Sequence, residues 1–332
     1  IHLCVYHARF PLLLRSAIEN QLDQAFNRRS PDKVFGQASV RQRIDAAPDC
    51  QHVFVVLASP VSEVGRDWCL DWAIAEPSSM RSLIQLSGRV RRHRATASTE
   101  SNVYIFDTNL RHLRSPEEAA FVRPGFEVIH APPAHPHRLA SHYLSELLRK
   151  DEYLVLDACP RILPRPTDQQ QPRKSLVDLE HARLAATLLP KDRGAQSSRR
   201  RGPLEPLEVD AASVWQIPQA TLTWSLAQQL PFRKQDGQPE ATLVFLPEDG
   251  EEGDLLAHRI HEEARRQRAA VYAQEEDGRG SGRLHRLTLV TVAGIAPWGE
   301  FDLDALLTSL AEQQGLSRRK TAERFTAVSV PE

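Results

Sequence analysis

Residues 53–67 read Val-Phe-Val-Val-Leu-Ala-Ser-Pro-Val-Ser-Glu-Val-Gly-Arg-Asp. The first six residues are an apolar run rich in β-branched side chains, which predicts a short buried strand of a parallel sheet. The segment after this run carries a hydroxyl at Ser59 and carboxylates at Glu63 and Asp67. Open α/β sheets bind ligands beyond the carboxyl ends of their parallel strands. The stretch therefore predicts an α/β fold with a binding loop directly after this strand.

A second segment, residues 83–94, reads Leu-Ile-Gln-Leu-Ser-Gly-Arg-Val-Arg-Arg-His-Arg. In it Gln85, Gly88, Arg89 and Arg92 fit the spacing Q-x-x-G-R-x-x-R. If the segment opens a helix after a short turn, the two arginines share one face. Two guanidiniums beside a glycine that lets another backbone approach would form a fork for a polyphosphate. The alternative is a solvated, basic start of a helix.

These two segments resemble motifs V and VI of superfamily 2 helicases, T-x-x-x-E-x-G-x-D followed by Q-x-x-G-R-x-x-R. Ser59 stands in place of the motif V threonine, and Leu86 stands where motif VI has an arginine. Residues 2–7, His-Leu-Cys-Val-Tyr-His, precede a helix-like stretch at 12–27 and resemble motif IV. The three motifs follow the order of the second RecA-like lobe of such helicases.

Length and composition limit the classes of function. A chain of 332 residues is expected to form two domains. The net charge of −1 creates no global positive field, so any contact with DNA must be local. The single methionine is Met80, which predicts a fragment or a processed product. No apolar run has membrane-spanning length, and no secretory leader opens the chain. Four cysteines without paired spacing indicate neither a zinc site nor a disulfide framework, so we expect a cytoplasmic protein.

The pattern along the chain predicts three parts. They are a RecA-like parallel-sheet lobe over 1–150, a linker with one helix (176–189) over 151–205, and a small α+β carboxyl-terminal domain over 206–332. Other predicted strands are 102–107, 153–156, 241–246 and 284–292, and other predicted helices are 116–121, 142–150, 254–273 and 302–313. Histidines at 130–138 and the pair His258 and His261 are interpreted as a loop and a polar helix face, so no metal site is predicted.

The closest family pattern is that of the type I CRISPR-associated helicase–nuclease, and within it subtype I-F. Residues 2–7, the motif V variant and residues 83–93 of this sequence are similar to the corresponding segments of that family. Residues 121–127, Phe-Val-Arg-Pro-Gly-Phe-Glu, and 176–181, Leu-Val-Asp-Leu-Glu-His, extend the resemblance toward the carboxyl terminus. The resemblance implies an enzyme that uses ATP to pull one DNA strand toward a nuclease and so degrades invading DNA. It also implies single-stranded DNA, an RNA-guided surveillance complex, the spacer-acquisition integrase and phage anti-CRISPR proteins as partners, and no membrane.

The resemblance further implies roles around a nucleotide. Arg89 and Arg92 would be arginine fingers that reach the γ-phosphate, and Gln85 would align them. Asp67 would contact the nucleotide ribose or these arginines; the alternative is that it caps a following helix. Gly65 would belong to the same pocket.

The remaining assignments concern the rim of that pocket and DNA. Gly88 is assigned to the nucleotide side. Ser59 and Glu63 would couple the nucleotide state to the DNA backbone, although Ser59 can also be a strand-end turn. Arg91 and Arg94, expected on the opposite helix face, would contact DNA or solvent.

Several parts of the complete family pattern are missing from this sequence. It contains no G-x-x-x-x-G-K-[ST] loop, no D-E-x-H or D-E-A-D box, and no paired histidine–aspartate nuclease ligands. We expect these upstream of Ile1, so ATP and Mg²⁺ would be shared with a missing first lobe, and the nuclease metal would bind elsewhere. The chain alone is predicted to be inactive. Two alternatives stay open: another superfamily 2 DNA or RNA helicase, and a non-catalytic scaffold that retains the lobe.

Overall fold

The computed structural model describes residues 1–63, 65–96, 98–123, 125–189, 240–247, 253, 255–260, 272–274, 296–298 and 301–331. The chain divides into two compact units. The first unit comprises residues 1–70, 92–95 and 235–332, and the second unit comprises residues 71–91 and 96–234. The strand predicted at 284–292, residues 190–205 of the predicted linker, and His261 of the pair with His258 lie outside the described residues.

Helices and strands are mixed in both units, in agreement with the predicted α/β class. The strands are β1 (His2–Tyr6), β2 (Phe54–Ala58), β3 (Ala73–Ala75), β4 (Val103–Ile105), β5 (Glu240–Pro247), β6 (Leu255–Ile260), β7 (Tyr272–Gln274), β8 (Ala296–Pro297) and β9 (Val328–Pro331). The helices are α1 (Leu12–Ala25), α2 (Pro31–Phe35), α3 (Ala38–Ala46), α4 (Met80–Ser87), α5 (Leu110–Arg114), α6 (Leu144–Leu147), α7 (Lys150–Tyr153), α8 (Cys159–Ile162), α9 (Leu176–Leu188), α10 (Leu303–Gln314) and α11 (Arg318–Phe325).

A parallel sheet with the strand order β2-β1-β8 opens the first unit. In the central strand β1, His2, Cys4 and Tyr6 are buried and alternate with half-buried residues, as one face of a strand requires. Parallel pairing of β1 with β2 confirms the pattern at 53–58. The predicted burial of this strand is wrong, because β2 is an outer strand of the described sheet and Leu57 is 55% exposed.

The core of the first unit joins distant parts of the sequence. Helix α1 confirms the helix predicted at 12–27 and buries Leu14, Ile18 and Leu22, which are four residues apart and share one face. They belong to the same apolar cluster as Val244 of β5 and Leu307 of α10. Described carboxyl-terminal elements thus share a core with the amino-terminal strands, whereas the sequence separates 1–150 from 206–332. The domain boundaries stay a prediction.

The first unit also has an antiparallel sheet with the order β7-β6-β5-β9, and two of its strands lie where a helix was predicted. The helix predicted over 254–273 is wrong where the structure describes it, because Leu255–Ile260 and Tyr272–Gln274 are strands. In β6, Leu255 and Ala257 alternate inward and pair with β5 across the sheet. This non-local pairing overrides the helical spacing of the apolar residues. The strand predicted at 241–246 and the helix predicted at 302–313 are confirmed as β5 and α10.

The second unit has a smaller parallel pair, β3 with β4, and a core formed by α4, α9 and the segments between them. Helix α9 is confirmed, but it is not isolated in a linker, since Leu176 and Leu179 are fully buried in that core. The strand predicted at 153–156 and the helix predicted at 116–121 are wrong: α7 covers Lys150–Tyr153, and α5 ends at Arg114.

Two further predictions for this unit are only partly right. Of the helix predicted at 142–150, only the short α6 is present. Of the strand predicted at 102–107, only β4 is present, and its Tyr104 is 54% exposed.

Within the described ranges, no helix has both the length and the apolar character that crossing a bilayer requires.

Candidate functional site

The loop after β2 begins with hydrogen bonds that join two strand ends. The backbone N–H of Ser59 donates to the carbonyl of Tyr6 at 3.1 Å, and the N–H of Ala8 donates to Ser59 Oγ at 3.1 Å. The carboxyl ends of β1 and β2 therefore meet at Ser59. These contacts are those of a strand-end turn, and the DNA-binding role of Ser59 stays a prediction. Glu63, which shares the predicted DNA-binding role with Ser59, ends a short 3-10 turn at Pro60–Glu63.

The chain reverses at Gly65 and is then fixed on α1. Gly65 has φ +76°, a left-handed conformation that favours glycine, and an added Cβ would meet nothing within 4 Å. Arg66 forms ion pairs with Glu19 and with Asp23, the latter at 3.0 Å. The buried indole of Trp68 donates from Nε1 to Asp23 Oδ1 at 2.6 Å. Two carboxylates of α1 thus hold the residues on both sides of Asp67.

Asp67 is surrounded by basic side chains. Its carboxylate pairs with Arg29 at 2.8 Å, with Arg92 Nε at 3.4 Å and with His93 Nε2 at 3.3 Å. The backbone N–H of His93 donates to Cys69 Sγ at 3.4 Å. We call Asp67, Arg29, Arg92 and His93 the Asp67 cluster. The alternative that Asp67 caps a following helix is wrong, because the next element is the strand β3.

The charges of the Asp67 cluster fit an anionic ligand. Two guanidiniums share one carboxylate, so positive charge exceeds negative charge in the cluster. Arg92 approaches the carboxylate of Asp67 with its Nε at 3.4 Å, and its side chain is 45% exposed. Guanidinium nitrogens bind carboxylate and phosphate oxygens in pairs, so this arrangement suits an anionic group.

Helix α4 precedes the arginines instead of containing them. Its N-cap is Ser79, whose Oγ accepts from the N–H of Ser82 at 3.1 Å, and the helix ends at Gly88. Gln85 lies in its last turn, and Arg89 follows the C-cap. The expectation that Arg89 and Arg92 share one face of a helix is therefore wrong. Ser79 before an apolar run was the sequence signal that would have placed this helix correctly.

The residues after the helix leave helical geometry. Gly88 has φ −64°, and an added Cβ would lie 3.4 Å from the Ile84 carbonyl, so neither conformation nor close approach requires glycine there. Arg91 has φ +53° and donates from Nη2 to the Thr96 carbonyl at 3.0 Å. The expected helix face for Arg91 and Arg94 does not exist, although Arg94 is exposed.

The structure brings together only part of the predicted site. Asp67 and Arg92 meet in the first unit, whereas Gln85 and Arg89 belong to the second unit. Arg29 and His93 were not among the predicted site residues. Arg29 reaches Asp67 only through the fold, whereas His93 is next to Arg92 but is no part of the motif spacing. A usable signal existed in the basic pair at 28–29 directly after α1.

Metal ligands were considered for the histidines of residues 130–138. His135 Nδ1 accepts from the N–H of His137 at 3.0 Å, which is a local turn contact. Nowhere in the described ranges do three or more histidine, cysteine, aspartate or glutamate side chains gather as a metal site would require.

Comparison with known proteins gives the family. Residues 1–95 match the family model "CRISPR-associated nuclease/helicase Cas3, C-terminal", and residues 245–332 match "CRISPR-associated Cas3 subtype I-F/YPEST-like, C-terminal domain". A Pseudomonas aeruginosa relative, the CRISPR-associated nuclease/helicase Cas3 subtype I-F/YPEST, is 40% identical over 338 residues, which are 100% of this chain and 28% of the relative. The chain belongs to the Cas3 family of subtype I-F. This confirms the resemblance found in the sequence.

Two other Cas3 proteins give the range of similarity. The relative of the same name from Pectobacterium atrosepticum is 40% identical over 255 residues, 76% of this chain and 22% of the relative. The chain thus spans about a quarter of the length of the curated relatives it matches. The crystal structure of T. fusca Cas3 aligns with 32% of this chain and 11% of that chain, at 19% identity and a TM-score of 0.24, a likeness too low to bear on the fold.

Proposed function

We propose that this chain is the part of a Cas3 helicase–nuclease that completes the ATPase site with arginine fingers and lines part of the DNA channel. The single observation that supports this proposal is the contact of Asp67 with Arg92 at 3.4 Å. It joins the segment resembling motif V to the segment resembling motif VI, as a shared nucleotide site requires. The parallel β1 and β2, with α1 to α3 between them and the motif residues after them, support a second RecA-like lobe.

Each residue near the Asp67 cluster has a task in this proposal. Asp67 holds Arg92 by Nε, so that the terminal nitrogens of the guanidinium face the γ-phosphate. Arg89 approaches the same phosphate from the end of α4, and Gln85 aligns it. ATP with Mg²⁺, shared with another lobe, supplies the free energy of hydrolysis. An arginine finger of this kind contributes about 10³–10⁵ in turnover.

Contacts with DNA complete the proposed mechanism. Ser59 and Glu63 lie on the loop after β2, where a change in nucleotide state can reach a DNA strand. Arg91 and Arg94 lie beyond α4 and can contact DNA phosphates without reading sequence. The parent protein would translocate on single-stranded DNA in the cytoplasm and degrade invading DNA. Its proposed partners are the surveillance complex, the spacer-acquisition integrase and phage anti-CRISPR proteins.

The test replaces one finger in the full-length protein. Arg92→Ala should abolish the DNA-stimulated ATPase activity and leave binding of single-stranded DNA within a few-fold of the unmodified protein. Arg41→Ala is the matched control, because Arg41 is an exposed arginine of the first unit that pairs with Asp45 in α3. It should change neither measurement. Loss of DNA binding with a normal ATPase rate in Arg92→Ala would reverse the assignment.

A second experiment uses the 332-residue chain by itself. Because this chain carries only one side of the proposed ATPase site, it should hydrolyse ATP no faster than a buffer blank, with or without DNA. Robust turnover by the isolated chain would refute the half-site proposal.

A further inference from the structure

A buried carboxylate lies at the start of the helix that carries Gln85 and leads to Arg89. Glu180, in α9, has a side chain that is 2% exposed. Its Oε1 accepts hydrogen bonds from the backbone N–H groups of Met80 and Arg81, the latter at 3.4 Å. These are the first two residues of α4, about 100 positions earlier in the sequence.

These hydrogen bonds satisfy groups that the helix cannot satisfy itself. The first four N–H groups of an α-helix have no acceptor within the helix. At the start of α4, Ser79 accepts from Ser82, and Glu180 accepts from Met80 and Arg81. A buried N–H without an acceptor carries a large desolvation cost, so these bonds fix where α4 begins.

The segment 176–181 that resembles subtype I-F thereby gains a physical role. Leu176 and Leu179 are fully buried, so α9 is anchored in the core of the second unit. From this anchored helix Glu180 reaches the start of α4, while Gln85 and Arg89 lie at its other end. A rigid helix transmits the position of its first turn to its last turn.

The cap does not depend on a negative charge. Burial raises the pKa of Glu180 to about 7, although the hydrogen bonds from Met80 and Arg81 and the nearby charges of Arg161 and Arg81 lower it. Arg161 Nη1 lies 3.9 Å from Glu180 Oε2. A neutral carboxyl group still accepts through its carbonyl oxygen, so both forms can hold the helix. Glutamine at this position would accept in the same way.

We propose that Glu180 is a positioning residue for Arg89: it caps α4 from α9 and so sets where the arginine stands relative to a bound phosphate. This proposal rests on the proposed function, because it needs Arg89 to act on a nucleotide. It assigns no direct contact with the nucleotide to Glu180 itself.

The first test measures the helix without nucleotide. In the full-length protein, Glu180→Leu keeps a similar volume but removes the acceptor, whereas Glu180→Gln keeps it. Hydrogen–deuterium exchange of the α4 amides should be at least about tenfold faster in Glu180→Leu and close to the unmodified protein in Glu180→Gln. Leu188→Ala, which changes an exposed side chain of the same helix α9 and no hydrogen bond of α4, is the control and should leave these amides protected.

The second test measures turnover. Glu180→Leu should lower kcat for DNA-stimulated ATP hydrolysis about ten- to a hundredfold with little change in KM, because misplacement of a catalytic group has effects of this size. Glu180→Gln should restore most of the rate. In an Arg89→Lys background, Glu180→Leu should have less than about a twofold further effect, since coupled residues are not additive.

The outcomes separate this inference from the proposed function. If Arg89→Ala leaves the ATPase rate unchanged, the proposed function fails. If Arg89→Ala abolishes it but Glu180→Leu has unaltered exchange and kcat, or an equal effect in both Arg89 backgrounds, the positioning role is overturned. Glu180→Gln that is no better than Glu180→Leu also overturns it. If Glu180→Leu does not fold, Glu180→Ala is judged by the same criteria. If neither variant folds but Glu180→Gln is fully active with wild-type exchange, the capping role of Glu180 is supported.

Discussion

Replacement of Asp67 by asparagine separates the stability of the Asp67 cluster from its proposed task. The carboxylate is 51% exposed, and exposed ion pairs stabilise a fold by only about 0.2–1 kcal/mol each. Loss of the pairs with Arg29 and Arg92 should therefore cost at most roughly 2 kcal/mol, and less at high salt. If Asp67 aims Arg92 at the γ-phosphate, the misaligned guanidinium should lower kcat about 10²-fold. This corresponds to about 2.7 kcal/mol of transition-state stabilisation.

The assay is steady-state ATP hydrolysis by the full-length protein with saturating single-stranded DNA, beside its melting temperature. Asp45→Asn is the matched control, because Asp45 is 53% exposed and pairs with Arg41 at 2.8 Å within α3. We expect a large loss of kcat in Asp67→Asn with a small change in melting temperature, and neither effect in Asp45→Asn. An unaltered kcat in Asp67→Asn, or an equal loss in the control, would show that Asp67 does not align Arg92.

Three further predictions concern the fold. Leu176→Ala should lower the free energy of unfolding by about 2–5 kcal/mol in denaturant titrations, because Leu176 is fully buried. Leu188→Ala should have little effect, because Leu188 is 46% exposed. Equal effects of the two substitutions would contradict the place of α9 in the core. Gly125→Ala should destabilise the protein strongly and Gly36→Ala should not, as judged by melting temperature, because an added Cβ overlaps backbone carbonyls only at Gly125 of these two. Burial, together with a hydrogen bond to a carboxylate, raises the pKa of Tyr6 to about 12, so its contribution to stability is complete below about pH 10 and is lost as the pH rises through 12. Tyr6→Phe should flatten this alkaline decline, and an unchanged slope would count against it.

Local patterns in the sequence predicted those helices and strands whose type depends least on the elements packed beside them. The apolar spacing of α1 and α10 and the β-branched run of β2 were sufficient to identify these elements and their type. The same kind of evidence failed for β6, since its apolar residues also fit a helix and only pairing with β5 decides the outcome. The exposure of β2 could not be predicted, because it depends on which elements lie beside the strand.

In the candidate site too, some contacts could be predicted from local sequence patterns and others depend on the fold. The family resemblance implied that Asp67 contacts either the nucleotide ribose or the arginines of the second motif, and the structure has a contact with Arg92. Arg29 and Glu180 were not predicted, because each reaches its partner across many residues of sequence through the fold. The spacing of Arg89 and Arg92 predicts a helix that contains both arginines, whereas α4 begins after its N-cap Ser79 and ends before Arg89.

The central claim is that Arg89 and Arg92 complete a nucleotide pocket whose other side lies elsewhere in the parent protein. A structure of the full-length protein with a non-hydrolysable ATP analogue and Mg²⁺ tests it most directly. In that structure we expect both guanidiniums about 3 Å from oxygens of the γ-phosphate, with the carboxylate of Asp67 still in contact with Arg92 Nε. Both side chains pointing into solvent, far from the triphosphate, would contradict it.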